Sequence, residues 1–183
     1  MPNRKFVSVA THLGGIALGV MLVVGALMAG TASATTSSAR LTGTWSVYSK
    51  RTAAVNVYDT SKPGYRPWTF APKCATGGCT TQLNRTSLGN SHQTFTLKPT
   101  SATTYQGTAN LGIGDCLSNN GTVVAKNAYA VNAVMQLSVK KVVKGLATSI
   151  AGTIRFNYTR RPGAPTNCAK SPYETASFHG THS

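Results

Sequence analysis

The sequence predicts an all-β protein of about eight antiparallel strands, either closed into a lipocalin-like barrel or packed as a sandwich. Three observations carry that expectation. Apolar and polar residues alternate with a period of two through most of the chain beyond residue 40, with many Thr, Val and aromatic residues among them. Turn signals such as "SKPG", "ATGG", "LGNS", "GIGD", "SNNG" and "RPGAP" fall between these runs, roughly every 8–15 residues. Nowhere do strand and helix patterns alternate as a parallel sheet requires.

The N-terminus reads as an export signal. Arg4 and Lys5 precede an uncharged, mostly apolar run from Leu13 to Gly30, and Ala32-Ser33-Ala34 supplies the small-x-small pattern of a signal peptidase site. Residues 1–34 are therefore expected to be removed, leaving 149 of the 183 residues in a secreted chain. The alternative is membrane anchoring by the uncleaved segment, since eighteen uncharged residues can just span a bilayer as a helix. After cleavage no further transmembrane helix is expected. Residues 35–40, "TTSSAR", read as a flexible leader, residues 41–176 as one β domain and residues 177–183 as a polar, frayed tail.

The first strand pattern is "LTGTWSVYSK", where Leu41, Gly43, Trp45 and Val47 share one parity. Next comes "PWTFAPKCATGGCTTQL", in which Trp68 and Phe70 lie on one face of a strand that runs into Cys74, and a Thr-rich strand leaves Cys79. "HQTFTLKP" sets Phe95 and Leu97 between Thr94, Thr96 and Lys98. "AYAVNAVMQLSVKKVV" carries Val131, Ala133, Met135, Leu137 and Val139 in strict alternation, which predicts a long strand; Val124, Ala128, Val131, Met135, Val139 and Val142 would also line a helical face. A hairpin through "KGLA" then leads to "ATSIAGTIRFNYTR", with Ile150, Ile154, Phe156 and Tyr158 together.

Four cysteines, an even number, in an exported chain predict two disulfides. Cys74 and Cys79 flank a four-residue loop holding two glycines, and cross-strand positions at a hairpin loop bring Cβ atoms to roughly 4–5.5 Å. Pairing 74 with 79 leaves Cys116 with Cys168, which would tie the middle of the chain to its end. No metal is expected, because a zinc site needs four ligands at a workable spacing.

Gly43-Thr44-Trp45 resembles the G-x-W of lipocalin-like barrels, where the Trp closes the barrel floor. The wider layout is similar to a group of small secreted bacterial disulfide-containing β domains. These join an early G-x-W to W-x-F-x-P-x-C and a short glycine loop before a second Cys. The matching residues here are Trp68, Phe70, Pro72 and Cys74, then Gly77, Gly78 and Cys79. This resemblance runs over most of the chain and implies a fold and a compartment, without an activity.

Catalytic residues are not expected. The chain has three acidic residues, Asp59, Asp115 and Glu174, scattered in sequence, which is a poor basis for paired-carboxylate chemistry. No nucleophile elbow, phosphate loop, dinucleotide fingerprint or calcium loop is present, so no cofactor is implied. His179 and His182 could share a metal only on a helix.

Charge is the other strong signal. Eighteen Lys and Arg oppose the three acids, a net +15; losing Arg4 and Lys5 leaves +13 with histidines neutral. Such a balance favours anionic partners, an envelope polymer or lipid, but without the like-charge block of a nucleic-acid tail. Lys140, Lys141 and Lys144, together with Arg160 and Arg161, are the candidate anion contacts. Tyr65, Arg66 and Trp68 in "GYRPWTF" are the candidate ligand contacts, since rings beside a guanidinium suit stacking. Asn84-Arg85-Thr86 is notable only as one of three glycosylation sequons. The expected function is a secreted, non-catalytic binding domain for a lipid or other small amphipathic ligand. The alternative is a basic protein held on anionic wall polymer or lipid, and a secreted inhibitor or hydrolase stands behind both.

Overall fold

The computed structural model describes residues 38–58, 62–74, 79–87 and 90–182. Eight strands follow one another: β1 (Gly43–Val55), β2 (Gly64–Pro72), β3 (Thr81–Thr86), β4 (His92–Pro99), β5 (Thr104–Leu117), β6 (Val123–Val143), β7 (Leu146–Arg160) and β8 (Tyr173–His182). Each pairs antiparallel with the next, and β8 returns to pair with β1, from Trp45 opposite His182 to Val55 opposite Tyr173. The meander is therefore a closed barrel. Pairing of β8 with β1 removes the two outer edges that a sandwich would have kept.

Alternation places the apolar set inside. Trp45 and Val47 of β1, Trp68 and Phe70 of β2, Phe95 and Leu97 of β4, and Ile150 and Ile154 of β7 are all buried in one core. The ambiguous segment is strand β6, whose Ala133, Met135 and Leu137 point into the same core; no helical face forms. Outward positions hold Thr94, Thr96 and Lys98 on β4 and Asn132, Gln136 and Lys140 on β6. Apolar inside and polar outside is the reverse of a lipid-facing barrel. Among the described residues no helix is long and apolar enough to cross a membrane.

One end of the barrel is plugged. The segment before β1 runs across it: Ala39 N donates to Ala102 O at 2.8 Å, Arg40 N to Gly145 O at 2.9 Å, and Ala147 N to Arg40 O at 2.9 Å. The Tyr105 hydroxyl donates to Ala39 O at 2.6 Å from inside the core, and Leu41 is buried beside Trp45. The expected flexible leader is thus, at residues 38–40, a docked part of the floor, because backbone groups of the β4–β5 turn, the β6–β7 turn and the start of β7 find partners there. Residues 35–37 and the signal expected over 1–34 lie outside the described residues. The expected frayed tail is corrected as well. Residues 177–182 complete β8, whose inward Phe178 is buried and whose backbone is laddered on both sides by β1 and β7.

The β6–β7 hairpin closes through two residues with positive φ, Lys144 (49°) and Gly145 (77°). That backbone matches the twist of the flanking strands. At Gly152 the neighbouring strand is so close that an added Cβ would meet the carbonyl oxygen of Gln136 and the ring of Phe178. Only glycine lets β6, β7 and β8 approach that closely there.

Candidate functional site

The other end is open. β4 and β5 pair only from Thr96 opposite Thr108 to Pro99 opposite Tyr105. Beyond those pairs no ladder joins them, so the wall parts between Gln93 and Leu111. β5 departs from β4 because its register with β6 shifts between Asn110 and Ile113 and again around Cys116. Gly112, at φ 85°, supplies the backbone turn at the first shift. The upper parts of β5 and β6 then form a satellite cluster of Cys116, Ala128, Tyr129, Val131 and Cys168. Both expected disulfides are formed, Cys74–Cys79 with Cα atoms 6.0 Å apart and Cys116–Cys168 with Cα atoms 5.9 Å apart. The second pins the loop before β8 to this extension.

Inside the mouth lies a cavity of about 430 Å³. Its walls are Ser49 and Arg51 of β1, Val57 and Tyr58 after it, Arg85 of β3, Gln93 of β4, Leu111 and Ile113 of β5, Val131 of β6, Phe156 and Tyr158 of β7, and Glu174 and Ala176 of β8, with Ser87 and Ser91 at the β3–β4 turn. The size falls within the usual range of small-molecule sites, and the wall combines apolar side chains with polar and charged ones.

Arg85 forms the boundary between cavity and packed core. It is 6% exposed, and its guanidinium carbon lies 5.1 Å from the ring centroid of Trp68, 5.8 Å from Phe156 and 6.0 Å from Phe95. The aromatic faces attract the cation but offer its N–H groups no acceptor oxygen. The Arg85 Nε is buried without a hydrogen-bond partner, and so is Oε1 of Gln93, which stands directly opposite it in the β3–β4 register. Loss of hydration on burial lowers the Arg85 pKa to about 10, with the charge of Glu174 opposing that shift. The side chain remains a cation at neutral pH.

The rim is better compensated. Glu174 receives the Tyr158 hydroxyl on Oε1 at 3.2 Å and lies 3.4 Å from Arg51 Nε through Oε2. Burial, and then the charge and hydrogen bond of Glu174, raise the Tyr158 phenol well above its ordinary pKa. Among the described residues the cavity wall carries two guanidinium groups, Arg51 and Arg85, and one carboxylate, Glu174.

The sequence-derived candidates are distributed differently. Trp68 is 0% exposed and packs under Arg85, so it supports the cavity from the core without facing a ligand directly. Tyr65 is 62% exposed on the outer wall, beside Tyr48 with ring centroids 5.3 Å apart, while Arg66 turns back to donate to the Tyr65 carbonyl at 2.8 Å. The three do not form one site, because alternate residues of a strand face opposite sides. The basic candidates also separate. Arg160 pairs with Tyr129 at one end of the β6–β7 ladder, and Lys141 with Ser149 near the other, roughly 35 Å along the strand. The Arg160 guanidinium donates to the carbonyls of Thr166 and Cys168, and that of Arg161 to the carbonyl of Asn127, so both hold loops at the mouth. Lys140, Lys141 and Lys144 remain at the plugged end. His179 lies against Tyr48 on the outer wall and His182 against Trp45 on the inner side, so one metal ion cannot take both.

Arg85, Gln93 and Glu174 were not apparent as a site in the sequence. One signal was present: Arg85 shares parity with the buried Leu83, which puts a charge on the inner face of β3.

No protein-family model matches the chain, and no curated protein does. Among solved structures it aligns with that of EF1p2_mFAP2b bound to DFHBI, at 10% identity, over 81% of this chain and 99% of that one, with a TM-score of 0.45.

Proposed function

We propose that this protein is a secreted, non-catalytic carrier or receptor domain that holds a small amphipathic molecule in the open half of its barrel. The observation that carries the reading is the cavity at the mouth. Eight strands leave an interior that side chains can fill completely. Here they fill the plugged half and leave about 430 Å³ at the other, beside a parted wall that gives access. The two disulfides support an oxidising compartment.

The test uses N-phenyl-1-naphthylamine, a neutral apolar dye that brightens on leaving water. The disulfide-bonded protein should bind it saturably with one site. Ala176→Trp, which fills the cavity from β8, should abolish that binding while leaving the far-ultraviolet circular dichroism unchanged. Failure of both this dye and its sulfonated analogue to bind in an Ala176→Trp-sensitive way overturns the reading.

A further inference from the structure

We infer that the molecule held in the cavity is an organic monoanion, seated with its acidic group on Arg85 and its apolar body along Leu111, Val131 and Phe156. This inference rests on the proposed binding role and adds the chemical class of the ligand.

Four observations converge. Arg85 is buried at the inner end of the cavity, carries a full charge, and has an Nε donor with no partner. Among the described residues no acidic group forms a salt bridge with it. Removing a guanidinium from water costs several kcal/mol unless a matched anion and its hydrogen bonds replace the hydration. The three rings around it offset part of that cost and supply no acceptor. Glu174, the acid of the same cavity, is already engaged by Arg51 and Tyr158. One carboxylate or sulfonate would match the single charge of Arg85.

Gln93 completes the recognition. Its side chain lies across the ladder from Arg85, with its own oxygen unpaired, and can meet a hydroxyl or N–H next to the acidic group. Leu111, Val131 and Phe156 supply apolar wall beside these groups, and the rings of Trp68, Phe95 and Phe156 lie around the guanidinium. A fully polar anion such as inorganic phosphate would leave Leu111, Val131 and Phe156 uncovered. An amphipathic acid uses both parts. A buried cation left unpaired while the site is empty is the kind of local conflict that proteins retain at functional sites.

The experiment compares two dyes with the same aromatic frame, 1-anilinonaphthalene-8-sulfonate and neutral N-phenyl-1-naphthylamine. Both are titrated into the disulfide-bonded protein at 0.15 M salt, with Ala176→Trp as the control for dye adsorbed outside the cavity. A charge-assisted contact to Arg85 should make the sulfonate bind about tenfold or more tightly than the neutral dye. Arg85→Met should erase that preference, and Arg85→Lys should keep part of it. Equal or tighter binding of the neutral dye to the unmodified protein overturns the inference and leaves the binding role standing. So does an unchanged preference in Arg85→Met. If neither dye enters the cavity, the binding role falls and this inference with it.

Discussion

At the plugged end, the inward positions of β1, β2, β5 and β7 carry Trp45, Phe70, Tyr105 and Ile150, all buried in one core. Further along, at the mouth, β1, β5 and β7 carry Ser49, Leu111 and Tyr158, while β3 contributes Arg85 and β8 Glu174. The two halves share strands, register and closure, and they differ in what their side chains do with the interior. One half fills it with apolar volume and ties its polar atoms to the chain, as Trp45 Nε1 does by donating to Thr42 O at 2.9 Å. The other leaves space and keeps a buried guanidinium whose Nε has no hydrogen-bond partner. The contrast teaches that stability and recognition are separated along the barrel axis, so each can be perturbed on its own.

The largest expected effect tests the filled half. Trp45→Ala removes a fully buried indole from the floor and should destabilise the fold by about 3–5 kcal/mol in denaturant unfolding. A loss below about 1 kcal/mol would mean that the floor is not the stabilising half. Next, replacing Cys116 and Cys168 together by Ser releases a closure of 52 positions that staples the mouth. The chain-entropy model gives a loss of about 4 kcal/mol, against about 2 kcal/mol for the Cys74–Cys79 pair, whose closure spans only 5 positions. Equal losses for the two double variants would contradict the assigned roles.

The third test has the opposite sign. Arg85→Met exchanges a buried, unmatched cation for an apolar chain of similar reach, and should raise stability by about 1 kcal/mol, seen as a Tm higher by a few degrees. A lower Tm would place Arg85 with the stabilising half and break the comparison. The smallest effect belongs to the rim. Tyr158→Phe removes the hydrogen bond to Glu174 and should cost about 0.5–1.5 kcal/mol near neutral pH. The folded phenol is raised above its unfolded value of about 10, so its contribution is fully present below that pH and lost as pH rises through the folded value. The stability gap between Tyr158→Phe and the parent should therefore shrink above pH 10. A gap that widens there would show that Glu174 does not hold the protonated phenol.

Much of the fold was legible in the residues themselves. Alternation marked Trp45, Val47, Phe95, Leu97, Ile150 and Ile154 as one face, and the five alternating positions from Val131 to Val139 decided strand over helix. The Cys74–Cys79 pairing followed from loop length, and the remaining pair followed from it. The candidate site was much less legible. The trio Tyr65, Arg66 and Trp68 has the composition of a stacking site, yet strand parity sends Tyr65 outward and Trp68 into the core. Arg160 and Arg161 are neighbouring charges, yet local carbonyls engage both. Arg85 lies within a glycosylation sequon, although its inward parity with Leu83 distinguishes it.

By itself the sequence determined which segments are strands, which face of each is apolar and which cysteines lie near enough to pair, because a period of two and a short hairpin loop depend on near neighbours. Tertiary structure alone decided that the sheet closes, that β4 and β5 part at one end, and that Arg85, Gln93, Arg51 and Glu174 surround one cavity. Those four residues come from β3, β4, β1 and β8, and only closure of the barrel brings the first and last strands together. Whether a buried charge finds a partner depends on every strand around it, and no local pattern encodes that sum.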